Sequence, residues 1–439
     1  MARCAFNLTV ARIIMPYMAP TGTKDILPEE WPFWRHIEQN IQRITALYGF
    51  APIGVPIFES TALFTRGVGE GSDLLVQKEM YSFQDKGDEE LTLRPEFTAG
   101  IMRAYVEHGM HTQPAPLRLY AVGPIFRQEK PQAGRYRIHH QFNVEALGEE
   151  DPAIDVEVMS IAWDLYDALG FKNLTFMINS TGCRTCRPNF VQALRDFFTP
   201  LAAELGETDR IRLARNPLRL LDSKDPDMEQ RLAQAPVIHD YLCANCRDHF
   251  AALRRYLDLL GRPYSINPRL VRGLDYYVKT VFEVWAQDIG AQAAVCGGGR
   301  YDGLIEELGG PAVPGVGFGS GIERIILAMK AQGVNVPALP TPFAMLAYRG
   351  AAAKLEAIGL LQMLRQAGIG ALLPYRDSLK AQLKQADRAQ ARFALILGDD
   401  ELAAGNITVR DLTGSQQISV PRAEIVDWLH HQAVTASTL

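Results

Sequence analysis

Three strand-like runs, Leu117 to Phe126, Arg137 to Leu147 and Tyr276 to Ala286, are bounded by turn residues, with no regular helical crossovers separating them. Parallel neighbours need a crossover of a dozen or more residues, usually a helix, so this spacing predicts a largely antiparallel sheet rather than a doubly wound parallel one. Two helices frame the first runs. Trp34, Ile37, Ile41, Ile44 and Tyr48 recur at helical spacing from about Glu30 to Tyr48, and Gly49 can end that helix. In the second, Asp151 can cap, Pro152 suits the first helical position, and Ile154, Val158, Ile161, Leu165 and Leu169 mark one stripe before Gly170. An α+β fold follows, with both helices packed against the sheet.

A chain of 439 residues with 47% hydrophobic content is too long for a single core, so two or three domains are expected. Residues 182–263 read as mostly helical and interrupt the strand-rich part, which occupies 19–181 and 264–330. Gly333, Pro337, Pro340 and Pro342 mark 331–342 as a linker. Residues 343–439 then alternate strand and helix as a small α/β unit. Residues 1–18 form an extension of unassigned role. Its lack of acids beside Arg3 and Arg12 faintly resembles a transit sequence, but an upstream or misassigned start, with Met15 and Met18 just before the first motif, or a disordered extension, is the plainer reading. A charged fraction of 22% and net charge of -5 exclude a disordered or globally basic chain, so any nucleic-acid contact has to be local. No run approaches the roughly 18 to 20 apolar residues that span a bilayer. A soluble, cytoplasmic protein is expected, with no membrane partner.

Four of the six cysteines form two C-x-x-C pairs, Cys183 with Cys186 and Cys243 with Cys246, near the two ends of the helical stretch. Four thiolates in that spacing suit a tetrahedral Zn²⁺, which would close a module too small to bury much apolar surface. Cys4 and Cys296 are left as single thiols.

Three clusters carry candidate chemistry. From Gly123 to Gln141, Arg127, Lys130, Arg135 and Arg137 stand against one carboxylate, Glu129. Guanidinium forks match phosphate oxygens and keep their charge, so this strand-loop-strand can grip a triphosphate; a solvated basic hairpin is the other reading. From Leu270 to Glu283, Arg272, Asp275, Tyr276 and Tyr277 sit at a strand entrance and suit recognition of a small polar ring, or serve as structural tyrosines. Glycines at 297 to 299 and at 315, 317, 319 and 321 would leave one strand face bare, so that a planar base could lie against the backbone, unless they serve tight packing. Gly321 then opens a helix carrying Arg324. In the last unit, Arg376, Lys380, Lys384, Arg388 and Arg392 recur every four residues with only Asp377 and Asp387 among them, a basic ridge fit for RNA or simply a solvated face.

Taken together these motifs resemble the three signature motifs of class II aminoacyl-tRNA synthetases in their histidine-specific form. The resemblance rests on GTKDILPEE near Gly22, VPIFES around Pro56, RGVGEGSDLLVQKEMYSF from Arg66, and then TLRPEFTAG, GPIFRQE, GRYRIHHQ, LVRGLDYY, GGGRYDGL and GIER. The last unit resembles the family's anticodon-binding domain. His139 stands where the family's motif is often aromatic, and the two C-x-x-C pairs belong only to a subset of members.

The resemblance implies a six-stranded antiparallel catalytic sheet in 19–181 and 264–330, a helical insertion at 182–263, an anticodon-binding domain at 343–439, and a homodimer formed partly through the Pro56 motif. It implies that Arg127 and Arg324 hold ATP phosphates, that Glu129 and Arg135 place the nucleotide, and that Glu96 and Thr98 receive the amino group of L-histidine. Gln141 and Glu145 would complete that pocket, Tyr276 and Tyr277 would read the imidazole, and Arg272, with Arg127, would be catalytic at the reacting carboxylate and α-phosphate. ATP, Mg²⁺ and tRNA(His) are then the implied co-substrates and partner, with Arg376, Lys380, Lys384 and Arg388 on the RNA. The rival within the same fold is the synthetase-like regulatory subunit of ATP phosphoribosyltransferase.

Overall fold

The computed structural model describes residues 17–67, 79–129, 134, 136–223, 225–273, 276–286, 294–376, 378–414 and 416–437. It divides into two units, Met1–Pro337 and Ala338–Leu439, and the division falls within the stretch read as a linker.

In the first unit the strands are β1 (Ala51–Pro52), β2 (Phe58–Ser60), β3 (Tyr81–Gln84), β4 (Glu90–Leu93), β5 (Leu117–Phe126), β6 (Ile138–Leu147), β7 (Leu174–Ser180), β8 (Ser265–Ile266), β9 (Val278–Ala286), β10 (Ala294–Arg300) and β11 (Gly315–Gly321). The large sheet has eight strands in the order β1-β5-β6-β11-β10-β9-β7-β8. This corrects the expected six-stranded antiparallel sheet, because the sheet is mixed. The inner pairings from β5 to β7 are antiparallel, while β1 joins β5 and β8 joins β7 in parallel. Each added edge pairs through only two residues, too short to leave a period in the sequence. Strands β2, β4 and β3 form a separate antiparallel sheet.

Alternation along β6 sorts its side chains. Phe142, Val144 and Ala146 join the main core, and Gln141, Asn143 and Glu145 take the opposite face. Against the apolar face pack the helices Trp31–Leu47, Pro152–Ala168 and Ile322–Ala331. Asp151 caps the second of these by accepting from the Ala153 amide at 2.8 Å. The helix Ala244–Leu259, which sequence reading left inside the insertion, belongs to two cores: Cys246 lies in the insertion's own cluster, while Phe250, Leu253 and Leu257 lie in the main one. Arg300, fully buried, pairs with Asp155, which also receives the His249 ring nitrogen at 2.9 Å and the Thr280 hydroxyl at 2.6 Å. This network ties sheet to helices and lies outside the cavity lining.

The second unit holds β12 (Ala344–Tyr348), β13 (Ala371–Leu372), β14 (Phe393–Leu397), β15 (Asn406–Asp411) and β16 (Gln417–Pro421) in the order β13-β12-β14-β15-β16. The first three are parallel, as a strand-helix alternation requires, and β15 and β16 add an antiparallel edge. Among the described residues no helix is long and apolar enough to cross a membrane.

Candidate active site

A cavity of about 830 Å³ opens on the face of the large sheet opposite the main core, and Arg127, Glu129, Gln141, Arg272 and Arg324 are among its lining. Arg127 follows the last residue of β5. Its Nε donates to the Pro95 carbonyl at 2.9 Å and its guanidinium stands 3.6 Å from the Glu129 carboxylate. Arg324, in the first turn after β11, donates to the carbonyls of Ala294 at 2.6 Å and Gly134 at 3.3 Å. His139 lines the same cavity. Burial, reinforced by the charges of Arg127 and Arg324, pulls its imidazole down to about 3, so the ring is neutral at pH 7. Arg135, Lys130, Asp275 and most of the motif that begins at Arg66 lie outside the described residues.

The glycine-rich strands do more than leave a bare face. A β-carbon at Gly297 would overlap the Arg272 guanidinium, one at Gly319 the Gln141 amide, and one at Gly317 the Glu145 carboxylate. Gly299 likewise leaves room for the Tyr277 ring, which would stand 2.9 Å from an added β-carbon. Much of the bare face is therefore occupied by the protein's own polar side chains, while Gly297, Gly319 and Gly321 also line the cavity. Register explains the fit, since Gly317 pairs with Glu145 and Gly297 with Glu283.

Arg272 forms an ion pair with Glu283, whose other oxygen accepts from the Trp285 indole at 2.8 Å. Burial works against the Arg272 charge, but Glu283 outweighs it and holds the guanidinium above its usual range. Sequence reading missed Glu283. The signal was available as the one acid in the apolar strand β9, VKTVFEVWA.

Glu96, Thr98, Glu145, Tyr276 and Tyr277 are not among the cavity lining; they form a cluster in which all but the half-buried Tyr276 are buried. Glu96 accepts from the Thr98 and Ala99 amides at 2.5 and 2.8 Å, at the start of the helix Thr98–Glu107. The Thr98 hydroxyl donates to one Glu145 oxygen at 2.6 Å, and Tyr301, also missed from sequence, donates to the other. The Tyr276 ring lies 4.7 Å from Tyr277 and 5.8 Å from Tyr301. Burial raises both carboxyls, Glu145 to about 8. Such a cluster can accept a cationic, aromatic guest by exchanging its proton for the guest's charge.

The four cysteine sulfurs lie within 4.8 Å of one another, with Cys183 3.8 Å from both Cys186 and Cys243, and Cys186 3.8 Å from Cys246. A tetrahedron of Zn–S bonds of about 2.3 Å has edges of about 3.8 Å, so the donor set fits that ion. Backbone amides of Cys183 and Thr185 already point at the sulfurs of Cys186 and Cys183, at 3.2 and 3.4 Å.

In the second unit, Arg376, Lys380, Lys384 and Arg388 are exposed, the last three on one side of the helix Leu379–Arg388, whose other side buries Gln382 and Ala386. Gln382 bonds both backbone groups of Tyr348, at 2.7 and 3.0 Å. Arg392 departs from the ridge because its guanidinium lies on the rings of Phe393 and Phe343, at 5.0 and 6.0 Å.

A polar cavity edged by anchored arginines on a mainly antiparallel sheet, with a separate α/β unit downstream, fits the class II aminoacyl-tRNA synthetases. The profile described as histidyl-tRNA synthetase matches residues 22–325, and the one described as anticodon binding domain matches 344–432. Histidine–tRNA ligase of Dehalococcoides mccartyi is 47% identical over 411 residues, covering 93% of this chain and 98% of that protein. The same enzyme of Pelotomaculum thermopropionicum is 48% identical, covering 94% and 97%. The crystal structure of apo Staphylococcus aureus histidyl-tRNA synthetase superposes with a TM-score of 0.80 at 37% identity, covering 94% of this chain and 99% of that one. The chain belongs to the histidyl-tRNA synthetase family.

Proposed function

We propose that this chain is a histidine–tRNA ligase, which activates histidine with ATP and then passes the histidyl group to the 3′ end of tRNA(His). The observation that carries the reading is the gathering of Arg127, Arg272 and Arg324 around one cavity, beside the buried cluster of Glu96, Thr98 and Glu145.

In the first step a carboxylate oxygen of histidine attacks the α-phosphorus and pyrophosphate leaves; in the second a terminal ribose hydroxyl attacks the acyl carbon and AMP leaves. No protein nucleophile is needed. Arg127 and Arg324 hold phosphates, Glu129 steadies Arg127 and the nucleotide, and Arg272 supplies fixed charge where negative charge builds up. Glu96, Thr98, Gln141 and Glu145 take the ammonium end of histidine, and Tyr276 and Tyr277 take its ring. Arg135 remains an ATP ligand by resemblance alone. Mg²⁺, when bound with ATP, supplies charge neutralisation at the phosphate oxygens.

Cys183, Cys186, Cys243 and Cys246 would hold a structural Zn²⁺. The exposed basic ridge supports RNA contact. A homodimer is supported by Ile57, Phe58 and Phe83, which are 46%, 52% and 45% exposed at and beside the small sheet. A cytoplasmic location goes with the activity. The regulatory-subunit alternative has no observation in its favour.

ATP–pyrophosphate exchange with each amino acid in turn tests the reading. Exchange that requires histidine is expected; none, from a folded dimer with Mg²⁺ present, would return the regulatory-subunit reading.

A further inference from the structure

Arg272 sits in a segment between β8 and β9 that has no strand pairing among its described residues. Its side chain is fixed by Glu283, but an arginine that must place charge within a fraction of an ångström also needs its backbone held. Two side chains do so through carbonyls. Asn179 in β7 donates to the Leu270 carbonyl at 3.0 Å. Arg219 donates from one terminal nitrogen to the Arg272 carbonyl and from the other to the Gly273 carbonyl, each at 2.7 Å.

Arg219 comes from the helical insertion. It sits on the short turn Pro217–Asp222, where Asn216 caps by accepting from the Leu218 amide at 3.2 Å. Its neighbours Leu220 and Leu221 are buried in the apolar cluster that also contains Cys186 and Cys246, and Val271 packs against that cluster. Leu221 and Asp222 line the cavity and Arg219 does not; it is 6% exposed. A buried guanidinium spanning two successive carbonyls next to the reacting centre is a costly way to close a surface loop, and a precise way to set one residue's position.

We propose that Arg219 is a positioning residue for histidine activation: through the carbonyls of Arg272 and Gly273 it transmits the seating of the insertion to the Arg272 guanidinium. This rests on the ligase reading above. Arg219 acts through Arg272 and touches no substrate, so its loss lowers turnover and leaves binding almost intact. A misplacement near 1 Å costs on the order of a hundredfold in rate, and partial loss of one of several anchors is expected to cost about tenfold.

The test is histidine-dependent ATP–pyrophosphate exchange on the full chain carrying Arg219→Ala or Arg219→Lys, with wild type alongside and thermal unfolding of each. Expected is a kcat down about tenfold for the alanine variant, KM for ATP and histidine within about threefold, and partial recovery with millimolar guanidinium ion. The lysine variant, which keeps the charge but cannot span both carbonyls, should fall between, and it decides the matter if the alanine variant does not fold. A kcat within about twofold of wild type in the folded variants overturns the inference, as does a loss that appears wholly in KM. A wild-type chain without histidine-dependent exchange would instead bring down the ligase reading, and this inference with it.

Discussion

Binding of histidine should expel a proton from Glu145. In the empty site burial holds this carboxyl at about 8, so at pH 7 it keeps its proton in roughly nine molecules of ten. An ammonium group seated against Glu145 favours the carboxylate, and ionising it at pH 7 costs about 1.4 kcal/mol, one unit's worth. Histidine affinity should therefore rise about tenfold above pH 8 through this group alone. Calorimetric titration at pH 7 in two buffers of different ionisation enthalpy reads the proton count directly. Wild type should release close to one proton more than Glu145→Gln, which keeps the shape and has nothing to ionise. The same group has a stability signature. Because the folded pKa lies above the ordinary carboxyl value of 4.5, its contribution is complete below about 4.5 and is lost as pH rises to about 8, and Glu145→Gln should flatten that slope. Equal proton release from both proteins would refute the argument, since it would mean that the carboxyl is already ionised or that histidine never meets it.

Arg272→His should keep the fold and lose most adenylate formation, read by pyrophosphate exchange; near-normal exchange would remove Arg272 from the reaction. Gly297→Ala and Gly317→Ala should separate, because the first new methyl meets only the end of a side chain, the Arg272 guanidinium, while the second also meets backbone at the Val144 carbonyl. Thermal unfolding should show little loss for the first and about 1–3 kcal/mol for the second, with exchange lowered in both. Protein purified without added zinc should carry one zinc per chain by elemental analysis, and Cys243→Ser should lose it and lower the unfolding temperature; substoichiometric metal with four titratable thiols in wild type would count against the site. Replacing Lys380, Lys384 and Arg388 together by Ala should raise the KM for tRNA and shallow its salt dependence, with pyrophosphate exchange unchanged.

What could be read from the sequence was set by local periodicity. Trp34, Ile37, Ile41 and Ile44 repeat every three or four residues, and the helix Trp31–Leu47 is there with those residues buried. The long inner strands were visible for the same reason, since ten residues of β5 or β6 leave a pattern and two residues of β1 or β8 do not. Arg127 was visible because permanent charge in a strand-loop-strand is conspicuous, and Arg272 and Arg324 because each stands in a short motif at the edge of a strand. Other partners were hidden: Glu283 pairs with Arg272 from the neighbouring strand, Tyr301 reaches Glu145 over 156 positions of chain, and Arg219 reaches Arg272 over 53. The glycines were seen as a bare face with two uses left open, because nothing local says which side chains will fill part of the space.

The partners of the cavity's arginines answer an electrostatic problem that the arginines pose. Three guanidinium groups lining one cavity repel each other and would splay outward if only solvent restrained them. Each is held by something acidic or dipolar that was in place beforehand: Arg127 by Glu129 and the Pro95 carbonyl, Arg272 by Glu283, Arg324 by the carbonyls of Ala294 and Gly134. Anchors of this kind lower the charge of the empty site without filling its volume, so an arriving triphosphate meets cations whose orientation is already fixed. The glycine face serves the same end, because Arg272, Gln141 and Glu145 can lie flat on the sheet only where the strands below them carry no side chain. The site is thus assembled by subtraction as much as by placement, which is why a single methyl group at position 297 should disturb it more than the loss of an exposed charge at its rim.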